Sequence, residues 1–133
     1  MTCRQLIRVY LLVAVSGLGY GMSYAKEQLA EEVADSHENH PVTREYLSEK
    51  YDIVEGKKKY EEAGCSMCHE NGVMEAPKPG NRKAWHSHVS EGWSSILHHA
   101  IKGNNGMPAK GGREDLTEKD IANIVAHMVF QSI

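Results

Sequence analysis

Five consecutive residues, Cys65-Ser66-Met67-Cys68-His69, constrain this chain more than any other feature. Two thiols separated by two residues can reach the two vinyl groups of one porphyrin and form thioether bonds. The imidazole that follows is then held beneath the iron. C-x-x-C-H is accordingly the pattern of covalent c-type haem attachment. The sequence therefore predicts one covalently bound haem c, with Cys65 and Cys68 as its thioether residues and His69 as an axial ligand of the iron.

Two other chemistries use a C-x-x-C pair. A thioredoxin-like redox pair needs a preceding strand and a surrounding parallel sheet, whereas this chain shows a helical pattern before the pair and no strand alternation. A structural zinc site needs two further ligands, and no second pair at finger-like spacing exists among the eight histidines. Haem attachment is the interpretation that the pattern favours.

The first 25 residues have the pattern of a secretory signal peptide. Arg4 and Arg8 accompany an apolar stretch at residues 9–19, and residues 23–25 match a small-x-small cleavage site. The apolar stretch is shorter than the roughly 20 residues that a spanning helix needs, which disfavours an uncleaved membrane anchor. We expect cleavage after Ala25, export to the periplasm and a mature form without a membrane span.

Export changes both the cysteine count and the charge. Of the three cysteines, Cys3 leaves with the signal peptide, so the exported chain keeps only the motif pair. The formal net charge of −3 becomes −5, because the signal peptide contains two arginines and no acidic residue. The acidic excess lies in residues 26–62. Since the chain lacks the basic face of a nucleic-acid-binding protein, no nucleic-acid partner is expected.

Residues 26–50 are polar, acidic and interrupted by Pro41, and we expect a flexible extension there. His37 and His40 stand in this segment and could bind a metal, although histidines in such a tail are more often simply solvated. The compact domain is expected at residues 51–133.

Within the compact domain, helical periodicity marks residues 52–63, 92–102 and 117–129, and no stretch alternates with the period of a strand. Thr117 and Asp120 form a capping box at the start of the last helix. So small a domain has few large apolar side chains for a core of its own. A buried haem would supply the missing apolar volume.

Met107 is the residue best placed to bind the iron from the side opposite His69. It lies in a glycine-rich loop at residues 104–112, where no helical face needs a methionine, and Pro108 stiffens that loop. The other methionines of the exported chain are less suitable: Met67 lies between the cysteines, Met74 follows His69 too closely, and Met128 belongs to the apolar face of the last helix. A histidine ligand stays an alternative, with the candidates His86, His88, His98 and His99.

From Cys65 to its C-terminus the chain resembles the class I cytochromes c, most closely the small bacterial cytochrome c5 type. The resemblance rests on several motifs in the right order: Gly56-x-x-x-Tyr60, C-x-x-C-H, GVMEAPKPG at residues 72–80, Trp85, NGMPAKGG at residues 105–112, and the last helix. It implies an all-α cytochrome c fold, with three to four helices and long loops wrapped around one covalent haem. It also implies His69 and Met107 as the axial ligands of the iron.

Two further roles follow from this resemblance. The carbonyl of Pro77 would accept a hydrogen bond from the Nδ1–H of His69 and so orient the ligand. Trp85 would pack near a haem propionate.

The resemblance also implies a contact between the first and last helices, and this sequence differs from the family pattern at two places. Gly56 and Tyr60 on the first helix would meet the last helix near Ile124 and Met128. Residues 113–115 stand where cytochromes of the c5 type often have an additional cysteine pair, so a loop disulfide is impossible here. His127 replaces the aromatic residue that is usual at the helix crossing.

The resemblance implies an electron carrier rather than an enzyme. The expected function is soluble, exported electron transport in a respiratory chain, between redox partner proteins that dock on a basic face formed by Lys78, Lys83, Lys110 and Arg113. Two alternatives remain at this stage. The chain could be a subunit or tethered domain of a larger respiratory or dehydrogenase complex, or a haem enzyme or sensor with an open sixth position on the iron.

Overall fold

The computed structural model describes residues 41–133, in which six α-helices follow one another and no β-strand occurs. The helices are α1 (Arg44–Lys50), α2 (Ile53–Glu62), α3 (Cys65–His69), α4 (Arg82–Glu91), α5 (Trp93–Lys102) and α6 (Glu118–Phe130). Two short 3-10 turns lie at Val73–Glu75 and Ala109–Gly112. This architecture confirms the all-α class. The predicted signal peptide, His37 and His40 lie outside the described residues.

The described residues form more helices than the three to four that are expected, because some of the helices have few large apolar residues. Helices α2, α5 and α6 lie where periodicity predicts them, but α4 has no clear apolar periodicity because Trp85 and Val89 are its only large apolar residues. Its N-terminus is instead capped by Asn81, whose side chain accepts a hydrogen bond from the Ala84 N–H at 3.1 Å. Gly92, at φ 90°, then separates α4 from α5.

Helix α1 lies inside the segment for which a flexible extension is expected. Thr43 caps it by accepting a hydrogen bond from the Tyr46 N–H at 3.2 Å. Leu47 is completely buried in the core, and α1 contacts α6. The packed part of the chain therefore begins near Val42 rather than at Tyr51. One leucine and one tyrosine in an acidic stretch are too weak a pattern to reveal this helix from sequence.

Helix α6 is the centre of the described fold. Its capping box is formed as predicted, with the Asp120 N–H donating to Thr117 Oγ1 at 3.2 Å and the Thr117 N–H donating to Asp120 Oδ2 at 3.0 Å. Residues 121–129 are all buried, although two of them, Asn123 and His127, are polar. A single apolar stripe would cover only one face, but α1, α2 and α5 all contact this helix.

Helices α2 and α6 cross closely at Gly56. A Cβ on Gly56 would collide with the backbone carbonyl of Asn123 and lie 3.2 Å from the Cβ of His127. The Asn123 side chain accepts a hydrogen bond from the Asp52 N–H at 3.1 Å, and Lys59 pairs with Asp120 at 3.1 Å. The contact is thus with Asn123 and His127, one position before the expected Ile124 and Met128.

His127 is buried in this crossing beside the ring of Tyr60, with ring centroids 5.7 Å apart. Its Nε2 lies 2.9 Å from the side-chain nitrogen of Gln131. The pKa of His127 is lowered from its ordinary value, chiefly by burial, with Lys57 adding to this effect and Glu61 opposing it. The folded protein therefore favours the neutral imidazole.

The lowered pKa of His127 predicts an acid-sensitive helix crossing. An unfolded histidine binds a proton near pH 6.5, whereas the folded His127 resists protonation until the pH is lower, so the unfolded state binds more protons. The stability owed to this residue is full above the unfolded pKa and is lost as pH falls through the folded pKa. Urea unfolding of the haem-loaded protein between about pH 7 and pH 5 measures this loss. The variant His127→Phe should lose less stability over the same range, and an unchanged loss would contradict the prediction.

Candidate haem-binding site

The motif Cys65-Ser66-Met67-Cys68-His69 forms helix α3, which fixes the relative positions of its reactive side chains. Positions three and four residues apart share one face of a helix, so both thiols and the imidazole lie on the same side of α3. Gly64, in the left-handed conformation at φ 79°, starts this helix after α2 ends. Both cysteines are free thiols. The spacing therefore presents two thiols and one imidazole to a single ligand.

The surroundings of Cys65 do not favour a thioredoxin-like redox pair. Burial raises the pKa of the Cys65 thiol, whereas reactive thiols of thioredoxin-like proteins have a lowered pKa. The pair follows helix α2 rather than a strand. Within residues 41–133, no three His, Cys, Asp or Glu side chains are grouped in a way that could hold a metal ion. A thioredoxin-like redox pair is therefore disfavoured.

His69 is buried and is held in a defined orientation. Its Nδ1 lies 2.9 Å from the carbonyl oxygen of Pro77. Because a carbonyl can only accept a hydrogen bond, Nδ1 carries the proton and donates it. The other ring nitrogen, Nε2, is thereby left as the lone-pair donor that an iron ligand requires. The donor set of two free thiols and one oriented imidazole fits a covalently attached haem.

Trp85 lies beside this imidazole rather than reaching away from it. The two rings are stacked, with centroids 6.5 Å apart and an interplanar angle of 16°. Its indole N–H donates to the carbonyl oxygen of Lys78 at 3.0 Å. Trp85 therefore packs against His69, and its only side-chain donor already forms a hydrogen bond. Its indole N–H is not available to a propionate in this arrangement.

Met107 is held by a tight turn at the end of helix α5. The backbones of Asn104 and Met107 exchange two hydrogen bonds, of 3.0 and 2.9 Å, and Asn105 occupies the left-handed region at φ 50°. A Cβ on Gly103 would lie 3.0 Å from the Met107 carbonyl, so glycine permits this backbone to pass close by. The side chain of Met107 is partly buried against the core. Its role as sixth ligand stays a prediction.

The other candidate ligands have different surroundings. Met128 is buried in the core, Met67 is 70% exposed, and Met74 is 72% exposed with its side chain against Gly106. Met74 thus reaches the Met107 loop, although it follows His69 by only five residues. The histidines that were alternatives to Met107 lie on helices α4 and α5, namely His86, His88, His98 and His99. Of these, His88 contacts the edge of Trp85, with ring centroids 5.8 Å apart.

The four expected docking residues fall into two groups. Lys78 and Lys83 are exposed. Lys110 instead donates to the carbonyl of Leu116 at 2.8 Å, and Arg113 makes two 2.8 Å hydrogen bonds to the carboxylate of Asp115. Arg113 lowers the pKa of Asp115 to about 2. Two of the four charged groups therefore form hydrogen bonds within the protein, which the sequence pattern did not indicate.

The segment after His69 is anchored by a residue that sequence reasoning missed. Ser132, near the C-terminus and 2% exposed, accepts a hydrogen bond from the Gly80 N–H at 2.9 Å. No motif surrounds this serine. The signal that could have drawn attention to it is a small polar residue next to an otherwise apolar helix end.

The helices, the thiol pair and the oriented imidazole together describe an all-α protein built around one covalent haem, and comparison with known proteins agrees. A family model described as "Cytochrome C oxidase, cbb3-type, subunit III" matches residues 52–128. The chain is 45% identical to cytochrome c-555 of Chlorobaculum thiosulfatiphilum over 86 residues, which are 62% of this chain and 99% of the relative. It is 36% identical to cytochrome c5 of Ectopseudomonas mendocina over 66 residues, 48% of this chain and 76% of the relative. It is 35% identical to cytochrome c6 of a Synechococcus species over 83 residues, 61% of this chain and 71% of the relative.

The chain belongs to the class I cytochrome c family. It carries one covalently bound haem c, and it is an electron carrier rather than an enzyme. The predicted resemblance to the c5 type is confirmed, and the c-555 relative matches at a higher identity than the c5 relative. Relatives that align over most of their length are individual cytochromes, which does not favour the alternative of a subunit or domain of a larger complex. No helix within residues 41–133 is long and apolar enough to cross a membrane.

Proposed function

We propose that this chain is an exported electron carrier in which Cys65 and Cys68 form the two thioether bonds and His69 and Met107 bind the iron from opposite faces. The single observation that carries the proposal is the 2.9 Å hydrogen bond between His69 Nδ1 and the Pro77 carbonyl. That bond fixes the tautomer with Nε2 free to act as a ligand. When bound, haem c supplies an iron centre that gains or loses one electron.

The proposed ligation favours electron transfer in two ways. With the His69 imidazole and the Met107 thioether both bound to the iron, no coordination position would be left for a substrate. The His69 imidazole is held by the Pro77 carbonyl, and the backbone of Met107 is held by its turn with Asn104. Ligands that do not move between the two oxidation states favour rapid transfer of one electron to a partner protein.

Charge on the surface supports docking through Lys78 and Lys83. Both are exposed, on either side of the N-terminus of α4. Lys110 and Arg113 contribute less, since their polar groups are engaged with Leu116 and Asp115. Two exposed lysines on a chain of net negative charge would steer an acidic partner surface to this side of the molecule.

The N-terminal sequence supports export to the periplasm. Residues 1–25 have the charge, the apolar stretch and the cleavage site of a signal peptide, so the mature form would begin at Lys26. Covalent haem attachment needs both thiols in the reduced form. The thioethers that result are not reversed in an oxidising compartment.

Three measurements on the exported protein test this proposal together. The pyridine haemochrome spectrum should show an α-band typical of two thioether bonds, and the oxidised protein should show the near-infrared charge-transfer band of a sulfur ligand. The intact mass should equal residues 26–133 plus one haem. In the control Cys65→Ser/Cys68→Ser, covalent haem should be absent. A wild-type protein without the sulfur band would contradict the His69/Met107 ligation, and a mass that includes residues 1–25 would contradict cleavage.

A further inference from the structure

The segment that supplies the hydrogen-bond acceptor of His69 is itself tied down at two more points. The Pro77 carbonyl accepts from His69, and the next carbonyl, that of Lys78, accepts from the Trp85 indole N–H at 3.0 Å. Two residues further on, the Gly80 N–H donates to Ser132 Oγ at 2.9 Å. Residues 77–80 are thus held by three side chains, none of which belongs to the segment.

Ser132 connects this segment to the central helix. Its hydroxyl accepts from Gly80 and donates to the Met128 carbonyl at 2.8 Å, and the side chain is 2% exposed. A hydroxyl has one proton to donate, and here that proton goes to the end of α6. Ser132 therefore links residues 77–80 to α6, the most deeply buried helix of the described fold.

The distance between the Pro77 carbonyl oxygen and His69 Nδ1 affects the basicity of the imidazole. A hydrogen bond accepted from Nδ1–H raises the basicity of the ligating imidazole, and such bonds tune a bound metal. A more basic imidazole stabilises the oxidised iron relative to the reduced iron, so a well-held Pro77 carbonyl lowers the reduction potential. A carbonyl that drifts away weakens the bond and raises the potential.

We propose that Ser132 and Trp85 are positioning residues that hold the Pro77 carbonyl against His69 and thereby set the reduction potential of the haem. The three hydrogen bonds on residues 77–80, the loop clamp, carry this inference. The inference rests on the proposed function in one respect, that His69 is an axial ligand. Neither Ser132 nor Trp85 would touch the iron in this scheme. Ser132 acts through the backbone of the loop, and Trp85 acts through that backbone and through its ring stacked on His69.

The variants Ser132→Ala and Trp85→Phe test the loop clamp in the haem-loaded protein. Each removes one hydrogen bond while keeping most of the packing. We expect Ser132→Ala to speed amide exchange at Gly80 about fivefold, because one hydrogen bond contributes about 1 kcal/mol. We expect both variants to raise the reduction potential and to move the NMR resonance of the His69 Nδ1 proton upfield.

Two further variants separate positioning from general destabilisation. Ser132→Thr keeps the hydroxyl and should restore the wild-type potential and Gly80 exchange. Ser90→Ala is the matched control, because Ser90 Oγ also donates to the carbonyl four residues earlier, that of His86 at 2.7 Å, but on an exposed helix surface away from the loop. It should change neither the potential nor the His69 resonance.

The outcomes distinguish this proposal from the proposed function. Faster Gly80 exchange with an unchanged potential and an unchanged His69 resonance would overturn the loop clamp, since Ser132 would then be merely structural. A shift of the same size in Ser90→Ala would also overturn it. The near-infrared sulfur band is recorded for every variant. Its absence from the wild-type protein would refute the proposed ligation, while the exchange rate of Gly80 would still report on the clamp.

Discussion

Replacing Met107 by alanine is expected to leave one covalent haem on the chain but to abolish the near-infrared band that reports a sulfur ligand. The thioether bonds depend on Cys65 and Cys68, which this substitution does not touch. The reduction potential should fall by tenths of a volt, because the identity of the axial ligands moves haem potentials over a range of about 0.8 V. Absorption spectroscopy and a potentiometric titration measure the two effects on the same sample.

The matched control for this prediction is Met74→Ala. Met74 is 72% exposed and its side chain lies against Gly106, so it stands in the same part of the molecule as Met107 without a predicted role at the iron. Met74→Ala should keep the sulfur band and a potential close to the wild-type value. Loss of the band in Met74→Ala and its retention in Met107→Ala would assign the ligand to Met74 and refute the proposed ligation.

The variant Gly56→Ala should destabilise the protein by about 3 kcal/mol, at the upper end of the cost of overpacking a core. The added Cβ would collide with the Asn123 carbonyl and lie 2.6 Å from the carbonyl carbon. These are backbone atoms of a buried helix and cannot rotate away, so α2 and α6 must separate. Separation would also stretch the hydrogen bond from the Asp52 N–H to the Asn123 side chain. Urea unfolding of the haem-loaded protein measures the loss.

The sign of the change in stability is informative, because replacing glycine by alanine in an unobstructed helix has the opposite effect. Alanine there would stabilise the protein by about 1 kcal/mol through helix propensity. A more stable Gly56→Ala variant would therefore contradict the close crossing of the two helices. Lys58→Ala serves as the control on the same helix, since Lys58 is exposed and its only described ion pair is a 3.8 Å contact with Glu55. Its stability should change by less than about 0.5 kcal/mol.

Much of the fold and site could be predicted from sequence where the determining interactions are local. The spacing of Cys65, Cys68 and His69 places them on one helix face whatever surrounds that helix. The capping box of Thr117 and Asp120 joins residues only three apart, and it forms as predicted. The hydrogen bond between His69 and Pro77 spans eight residues, and here the resemblance to known cytochromes supplied what spacing alone could not.

The cofactor, the all-α class and the helices with strong apolar periodicity therefore follow from the sequence. The packing of the helices is needed to show that α1 is buried, that Gly56 contacts Asn123, and that Lys110 and Arg113 bond to Leu116 and Asp115. It alone decided that Ser132 meets Gly80, 52 residues away. This is because a short-range pattern specifies only a helix and its polar face. Which distant backbone that face meets depends on how all the helices pack together.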